Sequence, residues 1–402
     1  MSTSEPPYAL FPTAEFEARV ARARDAMERD GLDALLLTAK ENVVYFTGIR
    51  TIGWTSKHRP MGIVVPAARE QPVVMILPET LQSVAHTSSW VRELRPWGGW
   101  RDPDAPRDPI AAFGTALEEL GIGPQATVGL ELGYGQRIGM SQEDFGSLQR
   151  TLGGRAQVDA GPLLWRLRMI KSPAEVDALR GACDATTRGF EKGFAALRAG
   201  MTERELAGIV MSELSAVSHE TAGFLMVRSG REKYAMVNVE PYEKPMVRGD
   251  LVVVDVGANF HYYWSDFMRM ASIGEPTAEQ RRFFDANLAA QQAGIDVIRP
   301  GIPLGDIFEA CREVLFDAGL GEHASSIERV GHGVGLDMHE PPSIERGSTV
   351  PVEEGMVLTV EPIFWDKPDA VIGNFAIEDM VVVTATGCER ISSFPRELHV
   401  VE

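Results

Sequence analysis

Apolar and polar positions follow a helical spacing from Glu15 to Asp30, and Gly31 then closes the stretch as a left-handed C-cap would. The next apolar run, LDALLL (32–37), is continuous and predicts a buried strand. NVVYFTG (42–48), rich in β-branched and aromatic residues, predicts a second strand ending at Gly48. GIVV (62–65), PVVMIL (72–77) and TVGLE (127–131) repeat the strand signal, with helical stretches between some of them. Such alternation predicts an α/β layer domain over residues 1–165.

The pattern changes between residues 160 and 172. Ser172 followed by Pro173, with Glu175 in the first turn, predicts a capped helix start. Helical spacing runs over 173–198 and 203–218, and strand signals follow, interrupted by a helical pair between 278 and 319. Residues 166–402 therefore read as a second domain of α+β type. No internal repeat, low-complexity tract or heptad run is visible.

Composition narrows the function classes. The 402-residue chain is 44% hydrophobic and 24% charged, which is the balance of a globular protein. Its formal charge of −18 opposes binding to nucleic acid or an anionic membrane, since both depend on clustered Lys and Arg. No apolar run of about 18 residues occurs, so no membrane-spanning helix is expected. The N-terminal stretch lacks a basic region followed by an apolar one, so it does not read as a secretory signal. Cys183, Cys311 and Cys388 are odd in number and widely spaced, which suggests buried thiols in a reducing, cytoplasmic compartment.

Candidate chemistry lies in the second half. LVVVDVG (251–257) is an apolar strand interrupted by Asp255, where burial should forbid a lone carboxylate. Asp266 follows on a second apolar segment. If the two segments form a hairpin centred between Phe260 and His261, Asp255 and Asp266 face each other across the ladder. Glu361 after MVLTV and Glu378 within NFAIEDMVVVT repeat the arrangement, with a midpoint between Asp369 and Ala370, where Pro-Asp supplies turn chemistry. Between the hairpins, GHGVGLDMHEPP (331–342) carries His332, and its alternating glycines allow a close backbone approach. Any one of these acids read alone is a salt-bridge partner. All of them at apolar strand ends predict a pocket for two divalent ions, Mn, Fe, Co or Zn, roughly 3.5–4 Å apart.

These residues resemble the pita-bread metallohydrolase superfamily of methionine aminopeptidase, prolidase, aminopeptidase P and creatinase. Its Asp-x-Gly-x5-Tyr-x-Ser-Asp pattern is matched by Asp255, Gly257, Tyr263, Ser265 and Asp266. Its Gly-His-Gly stretch with a later His-Glu is matched by Gly331 to Gly335, His339 and Glu340, and its last elements by Glu361-Pro362 and Ile377-Glu378-Asp379. The resemblance implies that Asp255, Asp266, His332, Glu361 and Glu378 hold the two ions and that His339 contacts them indirectly or touches substrate. GLDALLLTAKENVVYFTG and LRMIKSPAEVDALRGA are similar to the prolidase and creatinase branch. That branch forms homodimers in which the N-terminal domain of one subunit reaches the active site of the other.

The chain departs from the prolidase pattern around the ions. Asn238 stands where a His is usual, Ala376 where an Arg is, Glu328 where a further His is, Met268 replaces a Thr and Ile363 a Gly. KHRP resembles a creatinase carboxylate-binding segment and nominates Arg59, with Trp54 and His58 of the same loop as further substrate contacts. Tyr262, Tyr263 and Trp264 could line the pocket or pack in the core. The resemblance implies a metal-dependent hydrolase acting on an amide bond, as in an Xaa-Pro dipeptidase or a hydrolase of a small carboxylate-bearing amide. Glu361 would relay the proton to the leaving nitrogen. The alternatives are a metal-dependent lyase acting beside a carboxylate, and a binding protein without catalysis.

Overall fold

The computed structural model describes residues 5–218, 223–325, 327–365 and 372–402. They fall into two units, Met1–Arg168 and Met169–Glu402. The first unit contains strands β1 (Ala34–Leu37), β2 (Gly62–Pro66), β3 (Val74–Pro78), β4 (Glu93–Trp97), β5 (Thr127–Leu130) and β6 (Ala156–Asp159). They form one mixed sheet in the order β4-β3-β2-β1-β5-β6, with β1 antiparallel to β2 and parallel to β5. Helix α1 (Thr13–Asp30) ends at Gly31 in the left-handed conformation, as its spacing predicts.

NVVYFTG is not a strand. Lys40–Thr47 form helix α2, closed by Gly48 in the left-handed conformation. Two causes override the local pattern. Every residue from Asn42 to Thr47 is buried, so the run has no polar face to betray a helical period. The helix start is held from 92 and 93 residues away: the buried Glu131 carboxylate accepts from the backbone N–H groups of Thr38 at 2.8 Å and Ala39 at 3.0 Å. That supplies acceptors to N–H groups that would otherwise be orphaned.

In the second unit, helix α3 (Pro173–Ala196) begins with a capping box from Ser172 and Glu175, and α4 (Glu203–Ser215) with another from Thr202 and Glu205. Strands β7 (Phe224–Ser229), β8 (Leu251–Gly257), β9 (Asn259–Phe260), β10 (Tyr263–Trp264) and β11 (Phe267–Ile273) come next, followed by helices α5 (Ala278–Val297) and α6 (Leu304–Asp317). Then come β12 (Arg329–Gly333), β13 (Glu340–Glu345), β14 (Val357–Val360), β15 (Phe364–Trp365), β16 (Asn374–Phe375), β17 (Asp379–Val383), β18 (Cys388–Arg390) and β19 (His399–Val401). They build a four-stranded sheet, β19-β11-β8-β7, and a five-stranded sheet, β13-β12-β14-β17-β18.

One apolar core joins the two sheets to α5 and α6: Val253, Met268 and Met270 from the first sheet meet Leu358 and Val381 from the second, with Phe283 and Ile307 from the helices. On the opposite face of β11, Phe267 packs against Phe190 of α3 with the rings tilted at 38°. This is the α/β plus α+β organisation that the patterning predicts. No helix among the described residues is long and apolar enough to cross a membrane.

Candidate metal centre

Each candidate acid stands where a strand of the core meets a cavity. The β8–β11 ladder pairs Asp255 with Met268 and Val256 with Phe267. The inner β9–β10 hairpin continues that register, with Tyr263 opposite Phe260. The hairpin centre is therefore between His261 and Tyr262, both at positive φ, and not between Phe260 and His261. Two consecutive left-handed residues make the tight turn whose twist matches a hairpin. Asp255 and Asp266 are consequently diagonal neighbours on one face of the sheet, not directly opposed.

The second hairpin keeps the expected register. Val360 pairs with Asp379 and Phe364 with Phe375, which sets Glu361 opposite Glu378 between them. Its predicted turn at Asp369 and Ala370 lies outside the described residues.

Oxygen and nitrogen donors from these segments converge. Ligand atoms of Asp255, Asp266 and Glu378 all lie within 4.8 Å of one another, as do those of His332, Glu361 and Glu378, and those of Asp266, His332 and His339. His332 Nε2 is 3.4 Å from Glu361 Oε1 and 3.7 Å from Asp266 Oδ2. Its Nδ1 is 2.9 Å from the Gly333 carbonyl. A carbonyl can only accept, so Nδ1 carries the proton and Nε2 turns its lone pair toward the acids. The backbone locks this ring in place, because His332 N–H donates to Thr359 Oγ1 and Glu361 N–H to the Val330 carbonyl.

Electrostatically, the buried cluster disfavours the ionised form of all four acids. Burial lifts Asp255 to about 6 and Glu361 to about 7. Asp266 and Glu378 are pushed well above the ordinary carboxylate range, first by burial and then by the neighbouring acids. Burial also holds His332 well below its usual value, keeping it neutral. Asp255 Oδ1 and Glu378 Oε1 are buried without a hydrogen-bond partner among the described residues. Orphaned buried carboxylate oxygens beside a neutral imidazole form a donor set that suits borderline divalent cations.

A cavity of about 380 Å³ opens onto the cluster, lined by Asp255, Asp266, Glu361, Glu378, His339 and Asn238 among others. Asn238 is itself in the left-handed region.

Comparisons with known proteins assign the architecture. Residues 177–385 match the model of metallopeptidase family M24, and residues 19–170 match the creatinase/prolidase N-terminal domain. The chain belongs to metallopeptidase family M24. The solved structure of dipeptidase PepE from Mycobacterium ulcerans is 32% identical, with a TM-score of 0.80 over 97% of this chain and 99% of that one. A dipeptidase structure from Pyrococcus horikoshii OT3 is 28% identical, with a TM-score of 0.82 over 95% of this chain and 100% of that one. The Xaa-Pro dipeptidase of Lactobacillus delbrueckii subsp. lactis is 27% identical over 385 residues, covering 93% of this chain and 96% of that protein. Family M24 enzymes use divalent metal ions, generally two, and the chain is a metal-dependent hydrolase of this family.

The structure also places residues whose position the sequence pattern left open, and some that it missed. Tyr262 and Tyr263 are buried, and the Tyr263 hydroxyl donates to Glu175 Oε1 at 2.8 Å, so they pack in the interior rather than line the cavity. Ala376 is fully buried, Met268 sits opposite Asp255, Ile363 lines the cavity, and Glu328 is exposed beside Arg346. Arg59 and Trp54 line a cleft within the N-terminal unit, where the Arg59 guanidinium lies over the Trp100 ring and His58 is exposed.

Three supporting cations went unnoticed because none of them is a ligand type in the metal motifs. Arg329 donates to Glu361 Oε1 at 3.2 Å. Arg269 forms a buried pair with Asp379 and donates to the Glu378 carbonyl, which holds the strand bearing Glu378. Lys171 forms a buried pair with Glu340 at 3.2 Å, and Glu340 in turn accepts from the Asp337 N–H in the turn before His339. A local signal was available only for Arg269, set between Met268 and Met270 in an apolar strand, where an unpaired charge would be costly.

Proposed function

We propose that this M24 hydrolase cleaves the amide bond of a small carboxylate-bearing substrate, an Xaa-Pro dipeptide or a related non-peptidic amide, with two divalent ions held by Asp255, Asp266, His332, Glu361 and Glu378. The observation that carries the reading is the convergence of these five side chains, two carboxylate oxygens of which are buried and unpartnered. When bound, two such ions supply Lewis acidity and bring the pKa of a water toward about 7.

The chain's own residues do the rest. Glu361, anchored through Oε1 by Arg329, takes the proton from the attacking water and passes it to the leaving nitrogen. His339, with its ring 4.3 Å from that of His332, donates to the substrate carbonyl. Asn238 borders the substrate at the cavity wall. Arg59, with Trp54 and His58 beside it, serves a second copy of the chain in a homodimer, as the family resemblance implies.

We place the protein in the cytoplasm with manganese as the working metal. The free Cys183 and Cys311, both buried, suit a reducing compartment. Asn238 and Ala376 in place of the His and Arg of prolidases favour a substrate narrower than the general Xaa-Pro dipeptide.

The test is metal content of the purified protein, followed by turnover of Gly-Pro and Ala-Pro with manganese added. About two ions per chain with proline release are expected for a dipeptidase. Two ions without proline release move the substrate to small non-peptidic carboxylate amides. Absence of bound metal after manganese loading overturns the reading.

A further inference from the structure

The cavity wall carries a cation that the hydrolytic reading leaves unused. Along β7, Phe224, Met226 and Arg228 point to the same face, with Met226 paired to Asp255 and Arg228 to Val253. That is the face on which Val253, Met268 and Met270 enter the core, so Arg228 occupies a position the sheet otherwise fills with apolar side chains. The residue is 2% exposed and lines the cavity.

Its hydrogen bonds are incomplete. Nη1 donates to the Met236 carbonyl at 3.0 Å, whereas the buried Nε has no acceptor among the described residues. No carboxylate among the described residues forms an ion pair with it. The charge acting on it is that of Asp255, which the metal site already employs. A guanidinium offers five donors in a planar fork, and leaving it buried without an anion is costly.

Charge balance points the same way. The four metal-site carboxylates offset two divalent ions, and the exposed Glu240 at the cavity wall offsets one of Arg228 and Arg329, which leaves one positive charge in surplus, with Arg228 the buried one of the two. Apart from Asn238, His339 and the exposed Glu240, the remaining walls are apolar, among them Phe224, Met338 and Ile363. A volume of about 380 Å³ is near the lower end for small-molecule sites.

We propose that Arg228 is a specificity-determining residue whose guanidinium binds the substrate's carboxylate within the same subunit as the metal ligands. It takes over a task that the buried Ala376 cannot perform. The site then selects small monoanionic amides with an apolar portion and discriminates against neutral ones. This deepens the hydrolase reading above and rests on it for the reaction, but not for the anion preference. The competing structural role is a pin: through Met236, Arg228 also ties down the connection that carries Asn238.

The two roles separate when acid is compared with amide. The full-length, manganese-loaded protein and its Arg228→Gln and Arg228→Lys variants are assayed on Gly-Pro and Gly-Pro amide. In parallel, binding of N-acetylglycine and N-acetylglycinamide is measured by calorimetry. Wild type should favour the acid in both arms. Arg228→Gln should lower the acid-over-amide ratio of kcat/KM, and of binding, roughly ten- to a hundredfold, mainly through KM, and Arg228→Lys should give a smaller loss because it keeps the charge without the fork.

Equal weakening of acid and amide, or no change, would make Arg228 a pin and overturn the proposal. So would a wild type that does not prefer the acid. If wild type turns over neither dipeptide, the dipeptidase reading fails while the calorimetric arm still decides the anion preference. Metal content and circular dichroism of both variants check folding. Should Arg228→Gln fail to fold, Arg228→Lys carries the comparison, with a several-fold loss of the ratio expected.

Discussion

Burial at the ends of β8 and β14 makes single carboxylates behave unlike their solution counterparts. Asp255 at about 6 and Glu361 at about 7 both lie above the values of about 4 expected in an unfolded chain. In the metal-free protein the folded state therefore binds more protons than the unfolded state. Stability is greatest below about pH 4 for these two groups and is lost as pH rises toward 7. Chelated protein should show a falling Tm between pH 5 and 7.5 by calorimetry, and added manganese should reduce or reverse the slope because cations replace the protons. A flat profile for the chelated protein would mean that these acids are not held protonated. The acids themselves were legible from the sequence, as polar interruptions in apolar runs. Arg228 and Arg329 were not, because their meaning depends on which strand each faces.

At the scale of elements, two devices hold the site in register. The first is the close approach of β8 to the segment before β11: a Cβ on Gly257 would meet the Ser265 carbonyl oxygen at 1.8 Å, and backbone cannot step aside. Gly257→Ala should destabilise the protein by about 1–3 kcal/mol or more and lower its metal content by spreading Asp255 from Asp266. Urea denaturation together with metal analysis reads both effects. The second device is the Lys171–Glu340 pair, with both side chains 1% exposed. Lys171→Ala leaves Glu340 buried and uncompensated and should cost about 3–5 kcal/mol, whereas combining Lys171→Met with Glu340→Gln should recover much of it. The single and double variants compared in denaturant decide whether the charge or the packing matters. Hairpin pairing was readable to within one residue: the Glu361–Glu378 register follows from spacing alone, but the Asp255–Asp266 register turns on the left-handed pair His261 and Tyr262, which no glycine announces.

For the whole molecule, metal binding and folding are one equilibrium in the second unit. A ligand that binds only the folded state at a hundred times its Kd adds about 2.7 kcal/mol. Chelation at pH 7.5 should thus lower Tm by several degrees, and titrating manganese back should restore it. A Tm indifferent to both would mean that the acids are paired by protein groups. The proposed homodimer belongs to this scale too: sedimentation should find twice the 44.0 kDa chain mass, and Arg59→Ala should raise KM without changing metal content.

The sequence by itself determined the two-domain α/β and α+β organisation, the candidate acids and their order, and the chemistry those acids demand. Periodicity, caps and charges in apolar strands are local and survive without the fold. Tertiary structure decided the rest. The helix over 40–47 depends on a carboxylate supplied by Glu131, the diagonal placing of Asp255 and Asp266 on a turn of two left-handed residues, and the buried cations on partners more than 100 residues away. Long-range partners set the environment in which a residue's intrinsic preference is read. One chain of letters carries the preferences, but only the folded chain brings the partners within reach.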